Sequence, residues 1–432
     1  MTQGLASYTL SRPLATAVRP AGFMDYVRGA SFSAWAVSLL LPYWWIANWQ
    51  SMEERASEGH DFRNYYYSGF AICFIAHLTL GMGPWFGAPF RVLSSLSGKF
   101  LTAFCVVILM VSPLSLVPKA TAVYAIATWG VYLLLYLYWE GDYRVKQRTT
   151  VLAGCAVFAW LFILMAKLGV SVGYAVGGIN RNSTGIAAVG AMICCLISPS
   201  KKIQWAAIPV AIFMALIVSS RGSLVALFAF FTAYYGAYKG TFRGATHAMI
   251  ALCAFGALVL VWPQLYHVIF EDIMHLHDKS RGLSGGFTGR VELWKQAAGA
   301  FWKKPIFGFG FRASTHGGGG EYGGIHSGYL KIFVETGFVG GFLILTTVFS
   351  ETLRRYRLVQ RFRHMPPGDA PALNVAETMR LNALVFATLF MTLTIWVYEQ
   401  QYINLGSIAS LVFWLMMAAP VYVSAQGQSL RD

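Results

Sequence analysis

The sequence predicts an all-α polytopic integral membrane protein of about 12 transmembrane helices, with one long outer loop that contains an amphipathic helix. Three observations predict this. Of the 432 residues, 56% are hydrophobic and only 12% charged, about half the charge of an ordinary soluble domain. Apolar runs near the roughly 20 residues that a helix needs to cross a bilayer recur along the chain. The Lys and Arg content of the connecting loops alternates from one to the next, as membrane topology requires.

The candidate spans lie near 31–49, 65–84, 99–117, 119–139, 149–167, 183–199, 204–219, 222–238 and 245–263, then 329–350, 380–398 and 404–424. The chain divides into residues 1–263 with nine spans, a long loop at 264–328, and residues 329–432 with three more. The first thirty residues are polar and interrupted by Pro13 and Pro20, so no cleavable signal is expected. Loops on the amino-terminal side carry Arg12, Arg19, Arg28, Arg91, Lys99, Arg144, Lys146, Arg148, Lys201, Lys202, Lys239 and Arg243, and then the run Arg354 to Arg363 with Arg380. That is roughly three times the basic content of the opposite short loops, which places both termini in the cytoplasm. The net charge of +15 therefore sets orientation and gives no reason to expect nucleic acid. Tyr43, Trp44, Trp45, Tyr65, Tyr66, Tyr67 and Trp139, at the ends of runs, suit an interfacial belt.

Within the long loop, Val291, Trp294, Ala298 and Phe301 recur at helical spacing between Phe287 and Lys304, and Pro305 ends the run. This predicts an amphipathic helix on the membrane or over a cavity. The Gly317–Gly320 run lacks the Lys-Ser/Thr ending of a phosphate loop. His267, His275 and His277 stand near Glu271, Asp272 and Asp278, but their spacing matches no metal motif, and a solvated helix face explains them better. Cys73, Cys105, Cys155, Cys194, Cys195 and Cys253 all lie in apolar runs and read as small core residues. Neither metal nor cofactor is expected.

Charges at the membrane edge are costly and point to function. Arg221, in IVSSRGSLVAL, stands between two apolar runs with almost no loop; the alternative is a snorkelling arginine at a helix end. Arg290, in FTGRVELW, opens the amphipathic helix, and a surface pair with Glu292 is its alternative. Arg181, in GINRNSTG, precedes the sixth span and could equally be an interfacial anchor. His326 stands where the long loop re-enters the membrane, with Ser327 and Tyr329 beside it, and an imidazole there could serve as a general base. Glu335 lies four residues after Lys331 and is placed to pair with it.

Topology assigns Arg181, Arg221, Arg290 and His326 to one outer face. Guanidinium groups suit diphosphate, because they stay charged and donate paired hydrogen bonds. Outside the cytoplasm there is no nucleotide pool, so an activated sugar must arrive on a lipid diphosphate.

The ordered segments SRGSLVAL, TGRVELWKQA, KKPIFGFGF and HSGYLKIFVETGFVGG resemble the O-antigen ligase and O-antigen (exopolysaccharide) polymerase superfamily of bacterial membrane glycan transferases. The resemblance implies an inner-membrane enzyme that works at the periplasmic face without metal. It would move a glycan, with inversion, from undecaprenyl diphosphate to a sugar hydroxyl. It makes His326 the base and Arg221 and Arg290 the diphosphate ligands, with Arg181 and Tyr329 as further substrate contacts. Ser327 stands where members often have Asn. The segments look more like a polymerase, which extends a glycan acceptor, than a ligase, which uses lipid A–core. A chain-length regulator and membrane lipids are the other expected partners. The reading of another class is a transporter of lipid-linked sugars, which would show related halves, and no half-repeat stands out. A structural partner in an assembly is a third reading, but it leaves Arg221 unexplained.

Overall fold

In the computed structural model, residues 23, 27, 82–168, 181–218, 220–240, 290–316, 325, 327–365, 373–397, 407–426 and 429–430 are described. Their helices are α1 (Met82–Val92), α2 (Leu96–Val111), α3 (Pro118–Tyr138), α4 (Tyr143–Leu168), α5 (Arg181–Leu196), α6 (Lys201–Ile217), α7 (Arg221–Lys239), α8 (Arg290–Lys303), α9 (Ala313–His316), α10 (Gly328–Arg363), α11 (Val375–Ile395) and α12 (Ile408–Met417). A two-residue antiparallel pair, β1 (Tyr422–Val423) with β2 (Ser429–Leu430), follows. Among the described residues, four stretches are long and apolar enough to cross a membrane: Leu96–Leu114, Pro118–Tyr138, Gly328–Arg363 and Val375–Ile395. The expected spans at 31–49, 245–263 and most of 65–84 lie outside the described residues, as do the aromatics Tyr43 to Tyr67.

The helices begin where side chains can cap them. Ser95, Ser220, Ser327, Asn374 and Ser407 each accept a backbone N–H of the first turn, satisfying donors that a helix otherwise leaves unpaired. The bundle sorts its connections onto two ends. At one, Arg91 pairs with Glu140 at 2.7 Å, Ser97 donates to Glu351 at 2.9 Å, and Arg380 donates to the carbonyls of Ile197 and Ser198. At the other, Leu116 N–H bonds Phe309 O, Ser220 bonds Asn182, and Gly328 N–H bonds Trp396 O. The same loops were separated by their basic content.

Three sequence expectations need correction. The last candidate span, near 404–424, contains a helix of only ten residues, about 15 Å long. Every residue of α12 is buried, so it is an interior helix. It stops because Pro420 cannot continue it and because carbonyls in its last turn and just beyond it have other donors. Trp139 Nε1 donates to Leu415 O at 3.0 Å, and Arg355 Nη2 and Nη1 donate to Ala419 O at 2.6 Å and Pro420 O at 2.8 Å. Trp139 is thus fully buried and no part of an interfacial belt. Arg355, counted among loop charges, sits on α10, which runs on to Arg363. Its guanidinium is buried, pairs with Glu351 at 2.6 Å and donates to Asn382 at 2.9 Å. A cation at the carbonyl end of α12 also offsets the negative end of the helix dipole.

Among the cysteines, Cys105, Cys194 and Cys195 are buried and Cys155 is exposed, all as free thiols.

α10 is broken at Gly337, whose φ of 65° and ψ of −170° are essentially restricted to glycine. The segment Pro305–Phe311 fills the break. Phe309 and Gly310 N–H donate to Val334 and Glu335 O, while Phe338 and Val339 N–H donate to Pro305 and Ile306 O. Each strand of backbone satisfies the other. A Cβ on Gly337 would lie 2.2 Å from Ile306 O, and one on Gly308, itself at φ 68°, would lie 2.5 Å from the Glu335 carbonyl carbon. Gly337→Ala should therefore destabilise the protein by at least about 1–3 kcal/mol, read as a lower Tm in detergent. Gly299→Ala on α8, where a Cβ meets nothing within 4 Å, should leave Tm unchanged or raise it; equal Tm values for the two variants would refute the account.

Candidate active site

The end of the bundle where Ser220 bonds Asn182 gathers several helix starts. α7 begins at Arg221, and its cap Ser220 shares a hydrogen bond with Ser223 at 2.7 Å and donates to Asn182 Oδ1 at 3.3 Å. Asn182 is the second residue of α5. The two helices can meet so closely because Gly185 carries no side chain: a Cβ there would stand 2.3 Å from Ser223 Oγ. Arg181 and Arg221 thus open two helices that start side by side. α8 likewise opens at Arg290. Three of the four charged residues picked from the sequence are therefore first residues of helices. A helix amino terminus already carries unpaired N–H groups and about half a positive charge. Adding an arginine there raises the cost unless an anion is to be bound.

α11 fixes the position of the fourth. α7 packs along α11, and its last turns, at Ala237 and Tyr238, meet Met379 and Ala383 near the start of α11. Arg221, at the opposite end of α7, therefore lies towards the end of α11, where α10 begins. There Trp396 O accepts from Gly328 N–H at 2.7 Å and from Ser327 Oγ at 3.2 Å. Tyr329 OH donates to Leu393 O at 2.7 Å, and its ring meets Trp396 edge-on at 5.8 Å. Ile325 and Ser327 are both buried. His326 between them is outside the described residues, as are His267, His275, His277 and the Gly317–Gly320 run. Arg181 and Arg290 are placed through their helices. Arg221 is half-buried.

Ser327, the departure from the usual Asn, is engaged as the cap of α10 and as a tie to α11, and this local hydrogen bonding accounts for a short hydroxyl there. The loop helix α8 lies against α10. Its buried residues are Ala297 and Ala300, which cluster with Phe309, Ala313, Ile325 and Val334. The expected stripe of Trp294, Ala298 and Phe301 is only half-buried. The contact face is rotated towards the small alanines, because they let two helices approach closely.

A buried ionic group adjoins the site. Lys331 Nζ stands 4.0 Å from Glu335 Oε1, the pairing expected from their spacing, and Ser314 donates to the same carboxylate oxygen. Arg312 lies over the Tyr124 ring at 4.8 Å and takes φ 70°, unusual for a residue with a side chain. Sequence reasoning passed over Arg312 and Ser314. The one signal was their place directly after the glycines of GFGF, where the chain must turn out of the α10 break.

Residues 187–345, from α5 into the first half of α10, match the family model described as O-antigen ligase. The match takes in Arg221, Arg290, His326 and Tyr329 and begins just after Arg181. No curated protein matches the chain.

Proposed function

We propose that this chain, whose residues 187–345 match the O-antigen ligase family model, is a polysaccharide polymerase that transfers glycan from undecaprenyl diphosphate to an acceptor sugar hydroxyl at the periplasmic face of a bacterial inner membrane. Glycan transfer of the ligase or polymerase type is what the matched domain supports in general. The observation that supports a lipid-diphosphate donor is the placement of Arg181, Arg221 and Arg290 at the first residues of helices, two of which are tied together through Asn182 and Ser220; the choice of polymerase over ligase rests on the likeness of the TGRVELW and GFGF segments. Helix dipoles and guanidinium groups then act on one diphosphate.

In the reaction, His326 takes the proton of the acceptor hydroxyl. The oxygen attacks the anomeric carbon from the face opposite the diphosphate, so the configuration inverts. The carbon–oxygen bond to the diphosphate breaks, and the departing undecaprenyl diphosphate keeps the electron pair. The arginines stabilise the charge that develops on its bridging oxygen. The buried Lys331–Glu335 pair and the Pro305–Phe311 segment hold the re-entering helix at its place.

Two experiments test this. Purified protein in detergent, given lipid-linked repeat units, should lengthen the glycan; a transporter has no second compartment there and should leave it unchanged. A deletion strain should accumulate single repeat units. Long lipid-linked polymer that never reaches lipid A–core would identify a ligase instead.

A further inference from the structure

The outer turn at Ser220 joins α6 and α7, but the two helices part company below it: α6 packs on α5, and α7 on α11. Between the beginning of α6 and the end of α7 they leave a crevice of about 490 Å3, floored by the start of α11. It lies at the end of the bundle opposite Arg221, well away from the candidate active site.

One wall is aromatic. On α7, Phe231, Tyr234, Tyr235 and Tyr238 line it, with Tyr234 stacked on Tyr238 at 5.7 Å and 4° and Phe231 on Tyr235 at 6.2 Å and 25°. Across the gap, Trp205 is 66% exposed at the rim, a placement that indole favours at a membrane interface. Further along the same two helices, Phe213 and Phe228 are half or more exposed, so the crevice opens from a lipid-facing apolar surface. Its mouth is basic, with Lys201, Lys239 and Arg380. Glu377, the one acidic residue among the described lining, is already occupied: its Oε1 accepts from Arg380 at 2.7 Å, Gln147 at 2.9 Å and Tyr143 at 3.0 Å. A second cavity of about 210 Å3 adjoins it across Pro199, Asn374 and Glu377 and adds Arg144 and Arg148.

We propose that this crevice binds the headgroup of an anionic phospholipid, with the phosphate at Lys201 and Lys239 and the upper acyl chain against the tyrosine wall. A zwitterionic headgroup would bring its own cation to an already positive mouth, and a soluble anion would have no use for a wall that opens to lipid. Assigning the site to the cytoplasmic leaflet rests on the orientation adopted under the proposed function. Binding itself does not, and it can be read without any glycan donor.

The test uses the full-length chain in neutral detergent, with Tm followed as phosphatidylglycerol, phosphatidylcholine or inorganic phosphate is added. Phosphatidylglycerol should raise Tm well above the other two. In the double variant Lys201→Gln, Lys239→Gln, both positions being exposed, most of that shift should vanish, with apparent affinity falling about fivefold for each lysine removed. Lys202→Gln, exposed one residue away but outside the crevice, should keep the shift. Equal shifts from phosphatidylcholine would overturn the proposal, as would a shift that survives in the double variant or is lost equally with Lys202→Gln. Inorganic phosphate that reproduces the full effect would identify a soluble anion instead.

Discussion

His326→Ala should abolish glycan transfer, by about 100- to 10,000-fold, the usual contribution of a positioned general base, while the protein remains in the membrane at normal amount. The expectation rests on where the histidine stands. It immediately precedes the cap of α10, between two buried residues, Ile325 and Ser327, at the end of the bundle where Arg221 opens α7. The backbone that follows it in the chain is held to α11 by the Gly328 N–H and Ser327 Oγ bonds to Trp396 O. Loss of activity alone could reflect a damaged helix start, and a second variant separates the two causes. Ser327→Ala removes a cap and a tie, which costs about 1 kcal/mol, and should lower Tm while transfer persists. His326→Ala should do the reverse. Near-normal product from His326→Ala would end the base assignment.

The sequence was most legible where physics is local. Apolar runs located many of the helices because a bilayer-length run has few other uses. Arg181, Arg221 and Arg290 could be singled out because a cation beside an apolar run is costly wherever it points. What the sequence hid depends on partners far along the chain. Nothing near Arg355 says that it ends α12, since the carbonyls it bonds lie at Ala419 and Pro420. Trp139 looked interfacial because it closes a run, yet its indole serves Leu415 O. The length of α12 was overread for the same reason: a buried interior helix and a spanning one are equally apolar.

The glycines of GFGF and ETGF are a case between. Each segment alone suggests only a turn. The structure shows that they serve one junction, in which Pro305–Phe311 completes the hydrogen bonds of a broken helix that would otherwise expose its backbone in an apolar setting. That mutual dependence explains why KKPIFGFGF and HSGYLKIFVETGFVGG, the second of which opens with His326, stand close together in this chain.

Arg221→Lys should lose transfer almost as completely as Arg221→Ala. A lysine keeps the positive charge at the start of α7 and would serve equally well as a membrane anchor. It does not keep the planar pair of donors that matches two oxygens of a diphosphate. If the diphosphate gathers its negative charge as the glycosidic bond breaks, the missing donor matters most in the transition state, and its removal should cost about 100- to 1,000-fold in kcat, with a smaller change in KM. Stability should not follow activity. The cap of α7 is Ser220, whose bonds to Ser223 and Asn182 do not involve the arginine side chain. Measured side by side, the two variants should therefore show transfer collapsing while Tm holds. Full activity with lysine would reduce Arg221 to an anchor; a Tm that falls in proportion to activity would make it a structural residue. Only the divergence of the two quantities is what a diphosphate ligand requires.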